Sequence, residues 1–468
     1  MAFSNTNKQI RNCRQIVFRK AFIKRRLNTT GQFESDWFEI TNDVKRWGAV
    51  KIDTDSTRPG RFRFSSASIG VANDLGSYND QSDNNSYWYG YLDRQRTLFK
   101  IEAGFIHETL TSSGIWRRHE HPGAGTWDVG IWDSHEWDDG SNVVFTGVLA
   151  GDMNLSDHND ITLNVKPLVQ IFSDFSAKNL TGFTSTGLTA SEFMTMLRDQ
   201  TDGSGSFIFR PFFGDTTTNW NITTTTANYS SLNTSSAAQV RDSSVWNLIE
   251  KLAEAEGFVA YVSKDGIFNF KDNSTNTITA AFYFNGVGTF NSEYGHTIKS
   301  VDQFGPQVSK FYNRVSVKFS SSETSTSYEI RETTMGVSAV NLSWVYGQKS
   351  FDVENILINS STTAGTLAQS LYDDLSSLRR EIDFTTSFVP HLDIFDRIAI
   401  SYDTSEKGTT QNYWDLADWA HDTNTTSSDL VWDSSKGQII SLLNREFRFL
   451  SINIDLDKFE CKFKAREL

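Results

Sequence analysis

Short runs of period-two alternation, closed by Gly, Asn or Asp, limit the fold of this chain more than any other feature. The pattern is plainest near its end, where Phe459, Cys461, Phe463 and Ala465 alternate with Lys458, Glu460, Lys462 and Lys464. An extended strand sends successive side chains to opposite faces, so this run has one apolar and one cationic face and packs on one side only. FRFLSINIDL (Phe447 to Leu456) precedes it and predicts a hairpin. In RVSVKF (Arg314 to Phe319), Val315, Val317 and Phe319 share a face, and PHLDIFDRIAISY (Pro390 to Tyr402) reads as a turn and then a strand. Between Leu98 and Phe172 stand LFKIEAGFI (Leu98 to Ile106), VVFTGVLAGD (Val143 to Asp152) and DITLNVKPLVQIFSDF (Asp160 to Phe175). These predict three strands of one barrel or sandwich, with a Trp-rich insert from Gly114 to Gly140 growing from one hairpin. Further strand candidates are FESDWFEIT (Phe33 to Thr41), WGAVKID (Trp47 to Asp53) and the run from Thr57 to Asp74, with Phe62 and Phe64 on one face.

Helical spacing interrupts this pattern three times. Thr189 with Glu192 fits a capping box before Phe193, Met196 and Leu197. From Ser243 to Gly257, Val245, Leu248, Ile249 and Leu252 recur on one face; Asp242 or Ser243 can cap the start and Gly257 the end. The third helix runs from Ala364 to Leu378, with Leu367, Ala368, Leu371, Leu375 and Leu378 in a stripe. FVAYV and IFNFK follow the second helix around a Gly-containing turn and predict a hairpin. The Thr-rich stretch from Gly214 to Ala238 reads as either an edge strand or a mobile loop. The fold class is therefore mainly β with a small α+β module. The expected units are 1–178, 179–300 and 301–468, the first and last being barrels or sandwiches.

The chain has 468 residues, enough for two to four domains, and its 35 Phe, 13 Trp and 6 Pro suit half-buried pleated surfaces rather than disorder. Its net charge of -13 argues against a surface built for duplex nucleic acid. The start departs from that balance: Lys8, Arg11, Arg14, Arg19, Lys20, Lys24, Arg25 and Arg26 make a solvated strand face or an arm for an acidic neighbour. Two cysteines, Cys13 and Cys461, cannot form a disulfide scaffold. No apolar run is long enough for a spanning helix, and no secretory signal pattern opens the chain, so synthesis in a cytosol is expected.

Candidate chemistry is thin. His119, Glu120, His121 and His135 fall in a histidine-rich stretch from His107 to His158 but lack the spacing of a zinc motif. Adjacent carboxylates such as Asp138 with Asp139 and Asp373 with Asp374 give no defined separation across a cleft. No nucleophile elbow or phosphate loop occurs, so neither an enzyme nor a cofactor or metal is expected. The Trp loops are more informative. Trp127, Trp132 and Trp137 stand five apart, and Trp414, Trp419 and Trp432 repeat the Trp-Asp style in a second patch from Asn412 to Gly437. That spacing fits neither helix nor strand, so loops with repeated turns are expected. Such loops are candidate contacts for a partner protein or a glycan, and the two patches hint at internal duplication.

In order along the chain, WFEITNDVKRWGAVKID, RFRFSSASIGVANDLGSY, LFKIEAGF, VVFTGVLAGD and ITLNVKPLVQIF resemble the start of the hub or tip protein of a bacteriophage tail. The segment VWNLIEKLAEAEGFVAYVSKDGIFNFK, then NRVSVKF, PHLDIFDRIAISY and REFRFLSINIDLDKFECKFKAREL, resembles the rest of such a protein. The Trp-rich loops and the Thr-rich stretch depart from the family pattern. The resemblance implies a structural virion protein in the tail tip, assembled in the host cytoplasm. It implies a homotrimer with two tube-like barrels per chain, six-fold surroundings for the tail above, and a DNA exit channel whose acidic wall repels DNA. Its partners would be a distal tail protein, a tape-measure protein and tip or fibre proteins, with no specific nucleic-acid binding and no membrane segment. A distal tail ring is the neighbouring alternative within this class. A carbohydrate-binding or depolymerase-type β-protein using the Trp loops is the alternative outside it.

Overall fold

The computed structural model describes residues 13–27, 31–54, 62–73, 78, 97–110, 116–118, 141–149, 154–157, 160–214, 216–232, 243–272, 278–283, 295–306, 308–322, 325–332, 349–376, 379–403, 430–433 and 437–468. The first part is almost wholly strand: β1 (Cys13–Arg25), β2 (Phe38–Glu39), β3 (Val44–Trp47), β4 (Ala49–Thr54) and β5 (Phe62–Ala72). Then come β6 (Thr97–Leu110), β7 (Trp116–Arg118), β8 (Ser141–Leu149), β9 (Asn154–Asp157) and β10 (Asp160–Pro167). The pairing runs β2–β1–β6–β8–β10–β5–β3, all antiparallel. The chain itself links the two edges of this run, which share no ladder among the described residues. After β2, the Ile40 N–H donates to the Ala21 carbonyl and the Thr41 hydroxyl accepts from the Ala21 N–H, and three residues later the same segment pairs with β5 as β3. Inside lie Ala21, Ile23, Ile69, Val71, Phe99, Ile101, Phe145, Ile161, Leu163 and Val165, all buried and mostly β-branched or aliphatic.

Gly147 shows how tightly these strands approach. A Cβ there would stand 2.1 Å from the Lys166 carbonyl oxygen and 2.7 Å from the Phe145 ring, so no side chain fits. Pro167 ends β10 because it has no N–H for the ladder, and the apolar run expected to continue as strand to Phe175 turns instead into α1 (Val169–Asp174). The stretch from Phe33 is also less extended than its composition suggests. Only Phe38–Glu39 forms a strand, with an isolated bridge from Phe33 to Arg26.

The middle of the chain contains β11 (Leu188–Thr189), α2 (Ala190–Arg198), α3 (Arg210–Phe213), β12 (Trp220–Ile222), β13 (Asn228–Tyr229), α4 (Val245–Glu256), β14 (Phe258–Val262) and β15 (Phe268–Asp272). The capping box at α2 is complete: Thr189 Oγ1 accepts from the Glu192 N–H and Glu192 Oε2 from the Thr189 N–H. Its buried face carries Phe193, Met194 and Leu197, whereas Met196 is half-buried. Ser244, one residue past the expected caps, accepts from the Asn247 N–H to start α4, and Gly257 ends it in the left-handed conformation at φ 70°. The Thr-rich stretch supplies an edge strand, β12, parallel to β15, and β13 pairs with β11. Phe172 of α1 centres an aromatic core, with ring centroids 4.9 Å from Phe213, 4.9 Å from Phe209 and 5.6 Å from Phe268.

The last part holds β16 (Ile278–Tyr283), β17 (Gly295–Pro306), β18 (Arg314–Ser322), β19 (Ser325–Glu332), β20 (Ser350–Asn355) and α5 (Ser361–Leu375). It ends with β21 (Arg380–Ser387), β22 (Arg397–Asp403), β23 (Leu430–Asp433), β24 (Gly437–Asp455) and β25 (Glu460–Glu467). Here hydrogen bonding returns on itself: β24–β25–β21–β17–β16–β22–β24. Alternation aims Phe282, Phe384, Phe447, Phe449 and Phe463 inward, and their rings meet at 4.9 Å for Phe449–Phe463 and 5.2 Å for Phe282–Phe384. Strands β18, β19 and β20 form a separate sheet under α5, with Val315, Val317 and Phe319 buried as their spacing predicts. Helix α5 begins at Ser361 rather than Ala364; Leu378 lies outside the described residues.

The two circuits share one continuous sheet. Residues 49–53 of β4 pair with residues 451–455 of β24, and β5 pairs with β4 near its start and with β10 beyond it. The protein is thus mainly β; among the described residues it is a 17-stranded sheet carrying three smaller ones and their helices.

Candidate functional site

Both strand circuits have filled interiors, so functional groups must lie on outer faces, on loops or at the junctions between parts. Of the six Trp candidates, Trp127, Trp132, Trp137, Trp414 and Trp419 lie outside the described residues, as do His119, Glu120, His121, His135, Asp138 and Asp139. Trp432 stands in β23, opposite Gln438 of β24, and not in a loop of repeated turns. The β-branched and aromatic neighbours Val431 and Trp432, with Gly437 across the pair, favour that hairpin arm. Asp373 and Asp374 diverge: Asp373 accepts from Gln369 Nε2 at 2.7 Å, while Asp374 faces Arg379 and Arg466. They form no acid–base pair. Among the described residues, no group of three or more His, Cys, Asp or Glu is placed to hold a metal ion.

The junctions are better built. The first is a staple from β1 to the tip of the β24–β25 hairpin. Arg19 donates through Nη1 to the Leu456 carbonyl and to Asp457 Oδ1, and its guanidinium lies 5.0 Å from the Trp47 ring centre and 5.1 Å from that of Phe459. Burial lowers its pKa, and Asp457 opposes the shift. The other basic residues described at the N-terminal end are also engaged: Lys20 faces Glu39, Arg25 pairs with Glu34, Lys24 and Lys100 lie over Trp37, and Arg26 lies over Phe212. Alternation along β1 puts Arg19 and Arg25 on the side of Ala21 and Ile23 and Lys20 and Lys24 on the other, so these residues do not make one face; Lys8 and Arg11 lie outside the described residues.

The second junction is the turn from Ser263 to Gly266 between β14 and β15. On one side, a Cβ on Gly266 would touch Leu168 and Thr146 of the first circuit at 3.3 and 3.4 Å; φ there is 84°, so glycine serves both the turn and the approach. On the other side, Lys264 Nζ donates to the carbonyls of Pro390 and His391, and the Lys264 N–H donates to Asp393 Oδ2. Asp393 also accepts from the Ile394 N–H at 2.7 Å, and its own N–H donates to Asp396. Phe395, at φ 71°, sets its ring 4.9 Å from Tyr261.

Electrostatics follow from burial at this wedge. Desolvation raises Asp393 to about 6 against the pull of Lys264, and lowers His391 to about 2, helped by His296 and Lys264. Desolvation also lowers Lys264 and raises Tyr261. Nearby Cys461 is a free thiol pushed up to about 12, which makes it an unreactive core residue. A polar cleft of about 310 Å³ opens beside the turn, lined in part by Thr217, Asn221, Tyr261, Asp265 and Asn269. Its lining also includes Ser263, whose hydroxyl accepts from the Ile267 N–H. Sequence spacing identified the hairpin but not the wedge, because Lys264 and Asp393 are 129 residues apart.

The cationic face expected on β25 is neutralised across the sheet. Lys462 pairs with Asp302, Lys464 with Asp383 and Glu381, and Lys299 with Glu460. The outer wall is therefore a ladder of alternating charges, each exposed pair worth well under about 1 kcal/mol.

Among solved structures, the chain is similar in arrangement to a tail protein from Neisseria meningitidis MC58, at 10% identity and a TM-score of 0.47, covering 96% of each chain. It is also similar to the 43 kDa tail protein of prophage MuSo2 from Shewanella oneidensis, at 9% identity and a TM-score of 0.45, covering 96% of this chain and 98% of that one. A prophage tail protein from Listeria monocytogenes EGD-e gives 9% identity and a TM-score of 0.44, covering 96% and 94%. No family profile and no curated protein matches.

Proposed function

We propose that this chain is a non-enzymatic structural protein of a phage tail, and within it the hub ring at the distal end. One observation carries this reading: two strand circuits, filled inside and fused through β4, β5 and β24 into one sheet, with a wedge that touches both. A rigid double unit of that kind suits load-bearing assembly, and three copies would place six similar circuits in a ring. The ordered run of segments resembling tail hubs supports the same reading. The circuits are packed with Phe and aliphatic side chains, so a channel for DNA would run between copies, not through one. In this reading 1–178 and 301–468 are the ring-building units and 179–300 the middle module, with β16 and β17 of that stretch paired into the last unit. The ring joins a distal tail protein and tape-measure protein to tip or fibre proteins, with the Trp loops as contacts. Electron microscopy of the purified chain tests this: rings of three copies around a central opening are expected. Glycan binding lost on Trp132→Ala or Trp419→Ala, without such rings, would replace it with the carbohydrate-binding reading.

A further inference from the structure

At one end of the second circuit, three arginines stand directly opposite one another on three adjacent strands. Arg397 of β22 pairs in register with Arg448 of β24, which pairs with Arg466 of β25; Glu381 of β21 follows in the same row. Directly opposed residues point to the same face, and like charges there destabilise a sheet. The neighbours answer most of this charge. Arg466 and Arg379 face Asp374, Arg397 pairs with Glu446, Lys310 with Glu381, and Arg380 with Glu467. Arg448 has no hydrogen bond or ion pair among the described residues. The charges around it are Asp374 and three arginines, Arg466, Arg379 and Arg397. The row is closed at one end and open at the other, since the Arg466 side chain is 5% exposed and that of Arg397 30%. Arg448 is half-buried, with surplus positive charge around it and, among the described residues, no carboxylate paired to it, in a chain of net charge -13.

We propose that Arg448, flanked by Arg397 and Arg466, receives a carboxylate side chain from a second copy of this chain. The inference rests on the self-assembling reading above. A guanidinium binds one carboxylate with two parallel hydrogen bonds, and the acidic surface of another copy supplies such groups in excess. A nucleic-acid backbone fits less well, because Glu381, Glu446, Glu467 and Asp374 border the row and repel a run of phosphates. The test uses the full chain and measures self-association by sedimentation velocity over a concentration series. Arg448→Gln should weaken association by about tenfold or more, and Arg448→Lys by less, since it keeps the charge and loses the fork. Thermal melting of the dissociated variants should be unchanged or higher, because the row loses a like charge. Phenylglyoxal labelling of the unaltered chain, read by mass spectrometry, should modify Arg448 in the dissociated fraction and spare it in the assembled one. Association that is unchanged in Arg448→Gln, or equal labelling in both fractions, overturns the inference and leaves the ring reading standing. An unaltered chain that never associates overturns both.

Discussion

The two strand circuits solve one problem with different materials. The first packs aliphatic and β-branched side chains around Phe99 and Phe145, and the chain crosses from β2 at one edge to β3 at the other. The second sets five phenylalanines among Ile382, Ile398, Ile400 and Ile452, and its hydrogen bonding returns on itself. In the first circuit Gly147 admits no Cβ, because the Lys166 carbonyl and the Phe145 ring stand against it. Register irregularities occur in both circuits, between β6 and β8 and between β3 and β5 in the first and in β17, β22 and β24 in the second. The two circuits thus differ in their share of aromatic side chains and in how their edge strands meet.

The largest expected effect probes that difference. Phe463→Ala removes the ring that meets Phe282, Phe384 and Phe449, and should cost about 3–5 kcal/mol. Leu163→Ala in the first circuit should cost about 2–5 kcal/mol. Because one sheet and one wedge join the circuits, urea denaturation should show both variants shifting the same transition. Two transitions, each moved by one variant only, would separate the circuits.

Much of this was legible in the chain. The inward residues of β18 and β25, the capping box at Thr189 and the β14–β15 hairpin follow from local spacing, which local geometry enforces. What was not legible depends on distance in the chain. The fusion of β4 with β24 joins residues about 400 apart, and neither strand differs in composition from one at an ordinary edge. The arginine row joins residues on three strands, and no spacing in the sequence brings them into register. The break at Pro167 was readable in principle, since a missing N–H ends a ladder; the apolar run on both sides masked it.

A second prediction turns on the wedge that holds the circuits together. Asp393 is raised, so the folded state binds its proton more tightly than the unfolded chain; its contribution to stability is present at low pH and lost as pH rises from about 4 through about 6. His391 is lowered, so its contribution is present at neutral pH and lost as pH falls below about 6.5. Between pH 6 and 4 the two oppose. Asp393→Asn should therefore make stability fall with decreasing pH in that window by about 1.4 kcal/mol per unit, whereas His391→Gln should make it rise. Melting curves from pH 4 to 7.5 check this, and parallel profiles for both variants would contradict the buried-wedge account.

The smallest effect is local to the middle module. Ser244→Ala deletes the cap of α4 and should cost about 1 kcal/mol, read from the shift in urea midpoint. No loss of stability would contradict the cap.

The central claim is that this double unit exists to assemble with itself. Light scattering coupled to size exclusion, on the purified full chain across a concentration series, tests it most directly. A mass of three copies is predicted, sharpening to a single species as concentration rises. A stable monomer at every concentration would contradict it.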